Sequence, residues 1–298
     1  MRRVMAAAKN GVAIPCEKDG SAFILACPKG VYSGARTVQS KFVFALESHL
    51  KRLVQPTPGI VKDASDDELV KLIKPRVLST LRAAMQDLQR DNAFPPHQEY
   101  KLTLVMQPSP DATSMSQVIQ EPGKGDVLCH IGLMGSKDGK YIQVEVAGTP
   151  RKNPLVKDLQ WAKDRQALYD AMRPDTEELV LMEPSTRLLY EASQSNFFVV
   201  QDETLVTADD GILKGTMRDL VLEACDALSI PVRLTPPHMD DAPRWSGAFL
   251  TSTSRFVLPI QHLIYDAGDI TFPPCPIVAK LQAHVLATVK SHATKVFD

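Results

Sequence analysis

Apolar residues recur at three- and four-residue spacing in FVFALESHLKRLV, residues 42–54, and this periodicity predicts a helix. The preceding KGVYSGARTV, with its pair of glycines, reads as extended chain. A second helical region is predicted over residues 65–91. Ser65 and Glu68 have the spacing of a capping box at its start, and Pro75 inside it predicts a kink or a split. YKLTLVMQ and DVLCHIGLM are rich in β-branched and apolar residues, are bounded by Pro and Gly, and read as strands. The second half reads as strand pairs followed by helices. EELVLME and RLLYEA flank a PST turn, and FFVVQ and TLVT flank a DE turn. ILKG then leads into a helix TMRDLVLEACDAL, and a strand GAFLTST precedes a final helix near residues 276–292.

Strand pairs joined by short turns and mixed with helices predict an α+β class, not a doubly wound sheet. GSKDGK, residues 135–140, is the best candidate for a linker or hairpin turn. It divides the chain into a smaller N-terminal α+β domain, 1–134, and a larger C-terminal α+β domain, 135–298. The chain shows no internal repeat and no low-complexity tract.

Composition narrows the function classes. The 298 residues are 44% hydrophobic and 23% charged, ordinary for a globular enzyme with room to bury a cofactor. A net charge of -1, with no basic surplus, argues against a nucleic-acid partner. No apolar run reaches the length of a membrane span. The five cysteines, at 16, 27, 129, 225 and 275, include no CxxC pair. They fit a reducing compartment and argue against a disulfide framework or a zinc site. The histidines show no metal-ligand spacing either. A cytoplasmic chain is expected; the basic start MRRVMAAAKNG leaves a short mitochondrial presequence open.

The densest chemical signal is Glu191-Ala-Ser-Gln-Ser-Asn196 followed by FFVV, then TLVT, then Gly211-Ile-Leu-Lys-Gly-Thr-Met-Arg218-Asp. A Glu, an Asn five residues later, an apolar strand and a Gly-containing turn before a helix resemble the signature of the class IV aminotransferases. That family includes branched-chain and D-amino-acid aminotransferases and aminodeoxychorismate lyase. The resemblance runs from about Gly30 to the C-terminus. It leaves residues 1–20 and the helical stretch 55–98 unexplained.

The resemblance implies a two-domain fold-type IV enzyme, D-amino-acid aminotransferase-like, that uses pyridoxal 5'-phosphate (PLP) and works as a homodimer. A carboxylate beside the pyridine nitrogen keeps that nitrogen protonated, which the cofactor needs as an electron sink. Glu191 matches that role, and Asn196 a supporting position. The lysine that carries the cofactor lies about thirty residues before the motif Glu in the family. In NPLVKDLQWAK, Lys157 aligns best, with Lys152 and Lys163 as rivals. The same amine would move the substrate's α-proton. Phosphate contacts are implied at two places, Gly215, Thr216 and Met217 at a helix start and Thr251, Ser252, Thr253 and Ser254 after GAFL, with Leu213 as a further cofactor contact. A third comes from Arg52 in His49-Leu-Lys-Arg52, the family's H-x-x-R pattern. Substrate contacts are implied at Tyr32, Arg36, Ser254 and Arg255, although a structural salt bridge is an equal reading of Arg255.

Two departures stand out. Met217 occupies a position where the family often has a Thr, and Ser33 one where branched-chain enzymes carry an acid. The expected function is transfer of an amino group between an amino acid and a 2-oxo acid. The alternatives are a lyase resembling aminodeoxychorismate lyase and a non-catalytic PLP-binding relative.

Overall fold

The computed structural model describes residues 4–55, 64–90, 97–112, 114–134, 141–266 and 268–298. The GSKDGK segment lies outside them. The chain divides into two compact units of near-equal size. One comprises Met1–Gly135, Val156–Lys163 and Lys290–Asp298, the other Ser136–Leu155 and Asp164–Val289.

The first unit is built on a sheet of β1 (Met5–Lys9), β2 (Val12–Ile14), β3 (Val31–Val38), β4 (Phe42–Phe44), β5 (Tyr100–Pro108) and β6 (Gly125–Leu133), completed by the C-terminal strand Ala293–Lys295. Their spatial order is Ala293–Lys295, β4, β3, β5, β6, β1, β2. Helix α1 (Gly20–Ala26) is capped by Asp19, whose carboxylate accepts the Ser21 and Ala22 N–H groups. Its Phe23, Ile24 and Cys27 cluster with Tyr32, Val105 and Leu128 of the sheet. Helices α2 (Leu46–Val54) and α3 (Asp66–Gln89) belong to the cluster that contains Val31, Ala35, Leu102, Leu104, Cys129 and Ile131. Strand alternation puts these on the opposite sheet face from Tyr32.

Two local expectations change. The helical pattern at residues 42–54 begins late. FVF is a strand, Ala45 takes φ 46°, and the helix starts at Leu46. The apolar spacing of FVFA suits a strand equally well, and its partner, residues 293–295, is remote in sequence. The capping box at Ser65 forms as expected, but α3 runs through Pro75 without a break. Pro75 lacks the N–H that would bond the Lys71 carbonyl. The helix is held by a buried face of Leu69, Val70, Ile73, Val77, Leu81, Ala84, Met85 and Leu88.

The position of Lys157 is a third difference. It was expected in the C-terminal domain, but Val156–Lys163 groups with the first unit. The reason is backbone pairing. Tyr32 N–H donates to the Lys157 carbonyl at 2.9 Å, and Leu159 N–H to the Gly30 carbonyl at 3.0 Å. Val31 forms a bridge with Asp158.

The second unit contains β7 (Ile142–Val146), β8 (Thr176–Glu183), β9 (Leu188–Ala192), β10 (Asn196–Gln201), β11 (Thr204–Thr207), β12 (Val232–Leu234), β13 (Trp245–Ser252), β14 (Phe256–Tyr265) and β15 (Gly268–Thr271). The order β10-β13-β14-β7-β8-β9 returns to β10, closing six strands into a barrel-like ring; β11, β12 and β15 extend it. The turn between β10 and β11 places Asp202 at φ 50° and Glu203 at φ 57°, the two left-handed residues a tight hairpin requires. The helix over residues 216–228 forms as Thr216–Ala227, and the last one as Pro276–Thr288. No helix of the described residues is long and apolar enough to cross a membrane.

Candidate active site

The closure of the second unit's ring coincides with the motif. β9 and β10 meet where Glu191 pairs with Asn196, across a turn fastened by Ala192 N–H to the Ser195 carbonyl at 2.8 Å. Directly opposed residues share a sheet face. Both side chains reach the same segment, residues 213–215. Glu191 Oε2 accepts Leu213 N–H at 3.1 Å. Asn196 Nδ2 donates to the Leu213 carbonyl at 2.7 Å, and its Oδ1 accepts Gly215 N–H at 3.1 Å. Leu213 is therefore held at both backbone groups. A Cβ at Gly215 would stand 2.4 Å from Asn196 Oδ1, so this approach requires glycine. Arg151 Nη1 lies 3.6 Å from Glu191 Oε1, with both side chains 5% exposed.

The helix Thr216–Ala227 begins directly after this segment. Its N-cap is Gly215, and no side chain caps it. Its first N–H groups form a donor cluster of the kind that receives anions. Thr216 Oγ1 stands 3.0 Å from Thr253 Oγ1, bringing the two candidate phosphate segments together. Thr251 pairs with Asn196 and shares its face. Its hydroxyl is buried and finds no hydrogen-bond partner among the described residues. Met217 is 1% exposed and faces the interior. What it can offer the helix start is its backbone N–H.

Arg255 takes the salt-bridge alternative. Its Nη1 is 3.1 Å from Glu177, Nη2 pairs with Glu178 and Ser195, and Nε donates to Ser252 Oγ at 3.2 Å. Burial opposes its charge, but Glu178 and Glu177 more than offset that and hold the guanidinium above its ordinary pKa. These partners form the structural salt bridge that the sequence held open for Arg255 beside a carboxylate or cofactor contact. Ser254 lies beside Ser252, with hydroxyls 3.5 Å apart.

The first unit carries the other candidates. Lys157 Nζ sits 4.9 Å from the Tyr32 ring centroid, within cation–π range. Lys152 is exposed, and Lys163 Nζ donates to the Pro28 carbonyl at 2.8 Å. Tyr32 and Arg36 alternate onto one face of β3, and Arg36 Nε donates to the Thr37 carbonyl at 3.1 Å. Ser33 points to the opposite face, where its hydroxyl lies 2.8 Å from His49 Nδ1. His49 and Arg52 are one helical turn apart, and both are buried.

His49 Nε2 has no hydrogen-bond partner among the described residues. Burial, then Arg52, then Lys157 lower its pKa from 6.5 to about 3. A neutral imidazole in the fold against one that protonates when unfolded fixes the sign of the pH dependence. His49's contribution is fully present above about pH 6.5 and is lost as pH falls toward 3. In the cofactor-free protein, His49→Asn is expected to flatten the fall in urea midpoint between about pH 6.5 and 5. A wild-type and variant pair with parallel profiles would show that His49 does not titrate this way.

Arg151 and Glu178 did not stand out in the sequence. Arg151 lies forty residues before its partner Glu191, and no local spacing marks it. Thr251, a phosphate candidate in the sequence, gains its place beside Asn196 only through the strand register. Among the described residues, no His/Cys/Asp/Glu group could hold a metal ion, and none of the five cysteines forms a disulfide.

Comparison with known proteins agrees with this geometry. The family model for amino-transferase class IV matches residues 30–263. The chain belongs to the class IV aminotransferase family, and with that comes a PLP-dependent enzyme of amino-group transfer. Among solved structures it resembles a branched-chain aminotransferase from Thermoproteus uzoniensis with norvaline, at 20% identity and TM-score 0.73, covering 99% of this chain and 100% of that one. A putative branched-chain aminotransferase from Thermotoga maritima is 21% identical, with TM-score 0.68 and 96% of each chain covered. A branched-chain aminotransferase from Thermobaculum terrenum in its PLP form is 18% identical, with TM-score 0.69 and full coverage of both chains. At these identities the likeness is one of fold.

Proposed function

We propose that this chain moves amino groups between an amino acid and a 2-oxo acid, with Lys157 as the residue that carries PLP and moves the substrate α-proton. The observation that carries the reading is the Glu191–Asn196 pair at the ring closure. It holds the 213–215 segment at the mouth of an uncapped helix N-terminus. The residues present fit the group. Glu191 is a buried carboxylate suited to a pyridinium nitrogen. Thr216, Thr253 and the orphaned Thr251 hydroxyl, with the helix-start N–H groups, suit a phosphate. Within the first unit Arg52 is a buried cation suited to a phosphate, and Leu213 is proposed as a further cofactor contact.

When bound, PLP supplies the electron sink for the reaction. The chain's residues do the rest. Lys157 Nζ accepts and returns the α-proton, and Glu191 keeps the ring nitrogen charged. Tyr32 orients Lys157, and Arg36 and Ser254 are each proposed as substrate contacts. The reading makes the working unit a homodimer in a reducing, cytoplasmic setting. Its partners are small molecules, not nucleic acid or membrane.

The test is a spectral screen of L- and D-amino acids against the PLP-loaded protein. Conversion of the bound cofactor to its amino form, reversed by a 2-oxo acid, is expected. Pyruvate released from a compound other than alanine, in many equivalents per bound cofactor, without an added 2-oxo acid and without conversion of the cofactor to its amino form, would instead establish the lyase.

The phosphate end yields a separate expectation. Thr216→Val removes the hydroxyl paired with Thr253 and is expected to weaken PLP binding roughly tenfold, the worth of one hydrogen bond to a charged group. Met217→Thr puts a hydroxyl where the family often has one, but here it points inward. It is expected to cost about 2 kcal/mol of stability through lost apolar packing, with no gain in affinity. Tighter PLP binding by Met217→Thr, with Thr216→Val silent, would return the hydroxyl to position 217.

A further inference from the structure

The side-chain network around Glu178 is larger than a barrel strand requires. Glu178 is fully buried and faces the turn that joins Glu191 to Asn196. Its Oε1 accepts Gln194 N–H and lies 3.4 Å from Ser193 Oγ, and its Oε2 accepts Ser195 Oγ at 3.0 Å. One carboxylate thus engages all three residues of the turn. Arg255 pairs with the same carboxylate and with Ser195, then reaches Ser252 through Nε. Ser252 and Arg255 bracket Thr253, whose hydroxyl meets Thr216. Arg255 N–H also closes the 252–255 turn on the Ser252 carbonyl at 3.1 Å.

Burying two charges is expensive, and an apolar pair of similar volume holds a fold at least as well. An ion pair with this many directed hydrogen bonds does something an apolar pair cannot. It fixes the two turns relative to each other in angle as well as distance. One turn sets Glu191 and Asn196, the other Thr253.

We propose that Glu178 and Arg255 are positioning residues. Their buried pair locks the Thr253 turn to the 193–195 turn, and so fixes the phosphate-contacting hydroxyls relative to the carboxylate at the ring nitrogen. This rests on the functional reading given above. It places Arg255 in a role distinct from gripping substrate.

The test titrates cofactor-free protein with PLP and, in parallel, with pyridoxal, which has the same ring and no phosphate. Arg255→Lys keeps a charge but cannot span Glu177, Glu178, Ser195 and Ser252 together. It is expected to weaken PLP roughly tenfold while leaving pyridoxal within about twofold, so the preference for the phosphate ester falls. Glu178→Gln is expected to weaken both compounds, because the ring-side turn loosens as well. The double variant is expected to be no worse than Glu178→Gln alone, since both act through one pair. A purely structural pair would lower the melting temperature and weaken PLP and pyridoxal by the same factor in Arg255→Lys. That result, or wild-type affinities in both variants, overturns the proposal.

Glu177→Gln, at the more exposed rim of the network, is the milder variant should the buried ones fail to fold. It is expected to shift the preference in the same direction by about two- to threefold. No shift there, with the buried variants unfolded, also overturns the proposal. Wild-type protein that binds neither compound would bring down the functional reading and the pair with it. Wild-type binding with unshifted variants removes the pair alone.

Discussion

Replacing Lys157 with alanine is expected to abolish turnover, together with the covalent attachment of PLP that borohydride fixes. General acid–base transfer alone is worth about 10²–10⁴-fold, and a lysine that also carries the cofactor covalently adds to this. A residual rate below about one part in 10⁴ is therefore expected. The three candidate lysines have different surroundings. The backbone of Lys157 is tied to β3 through the Tyr32 N–H, and its ammonium lies over the Tyr32 ring. Lys163 is bonded to the Pro28 carbonyl, and Lys152 is exposed. Alanine keeps every backbone bond of the segment, so stability should move by no more than about 1 kcal/mol. Lys157→Arg is a useful companion, because it keeps a cation for Tyr32 but cannot form the attachment. Peptide mapping after borohydride reduction of the wild type should find the pyridoxyl group on Lys157. Its recovery on Lys152 or Lys163, or turnover surviving in both variants, would move the catalytic amine elsewhere.

What could be read from the sequence was chemistry carried at short range. Glu191 and Asn196 are five residues apart because a tight turn brings them opposite each other, so a linear spacing records a closure of the ring. The capping box at Ser65 was legible for the same reason, its two partners being three residues apart. His49 and Arg52, one turn apart on α2, likewise kept their relation in the linear pattern. What escaped was fixed by partners far along the chain. FVF became a strand because residues 293–295 pair with it. Lys157 joined the first unit because β3, more than a hundred residues earlier, supplies its backbone partners. Arg255 was left between two readings because Glu177 and Glu178 stand nearly eighty residues upstream. That the helix was not split at Pro75 has a different reason. Local helix rules weigh the missing N–H, whereas the buried apolar face along α3 outweighs it.

Glu191→Gln is the second large effect expected, and it acts on the chemistry more than on binding. The amide oxygen can still accept Leu213 N–H, so the 213–215 segment should keep its place, and with it the phosphate-side donors. What is lost is the negative charge. A carboxylate within about 4–6 Å of a cation shifts its pKa by one to three units, or about 1.4–4 kcal/mol. If the pyridine nitrogen loses that support, its electron-withdrawing power falls when the substrate α-carbon gives up its proton to Lys157. The single-turnover rate should then drop roughly ten- to a thousandfold, while PLP affinity changes by less than about tenfold. A stability cost accompanies it. Arg151, 3.6 Å from Glu191 Oε1, is left without its buried carboxylate, and up to about 3–5 kcal/mol can follow from breaking such a pair. Rates must therefore be compared on protein shown to be folded and loaded at the assay temperature. A titration of the bound cofactor's absorbance gives an independent readout, because the ring-nitrogen step should move to lower pH in the variant. Folded, loaded Glu191→Gln protein with wild-type single-turnover rates and an unmoved titration would mean that Glu191 braces the Leu213 segment and does not face the ring nitrogen.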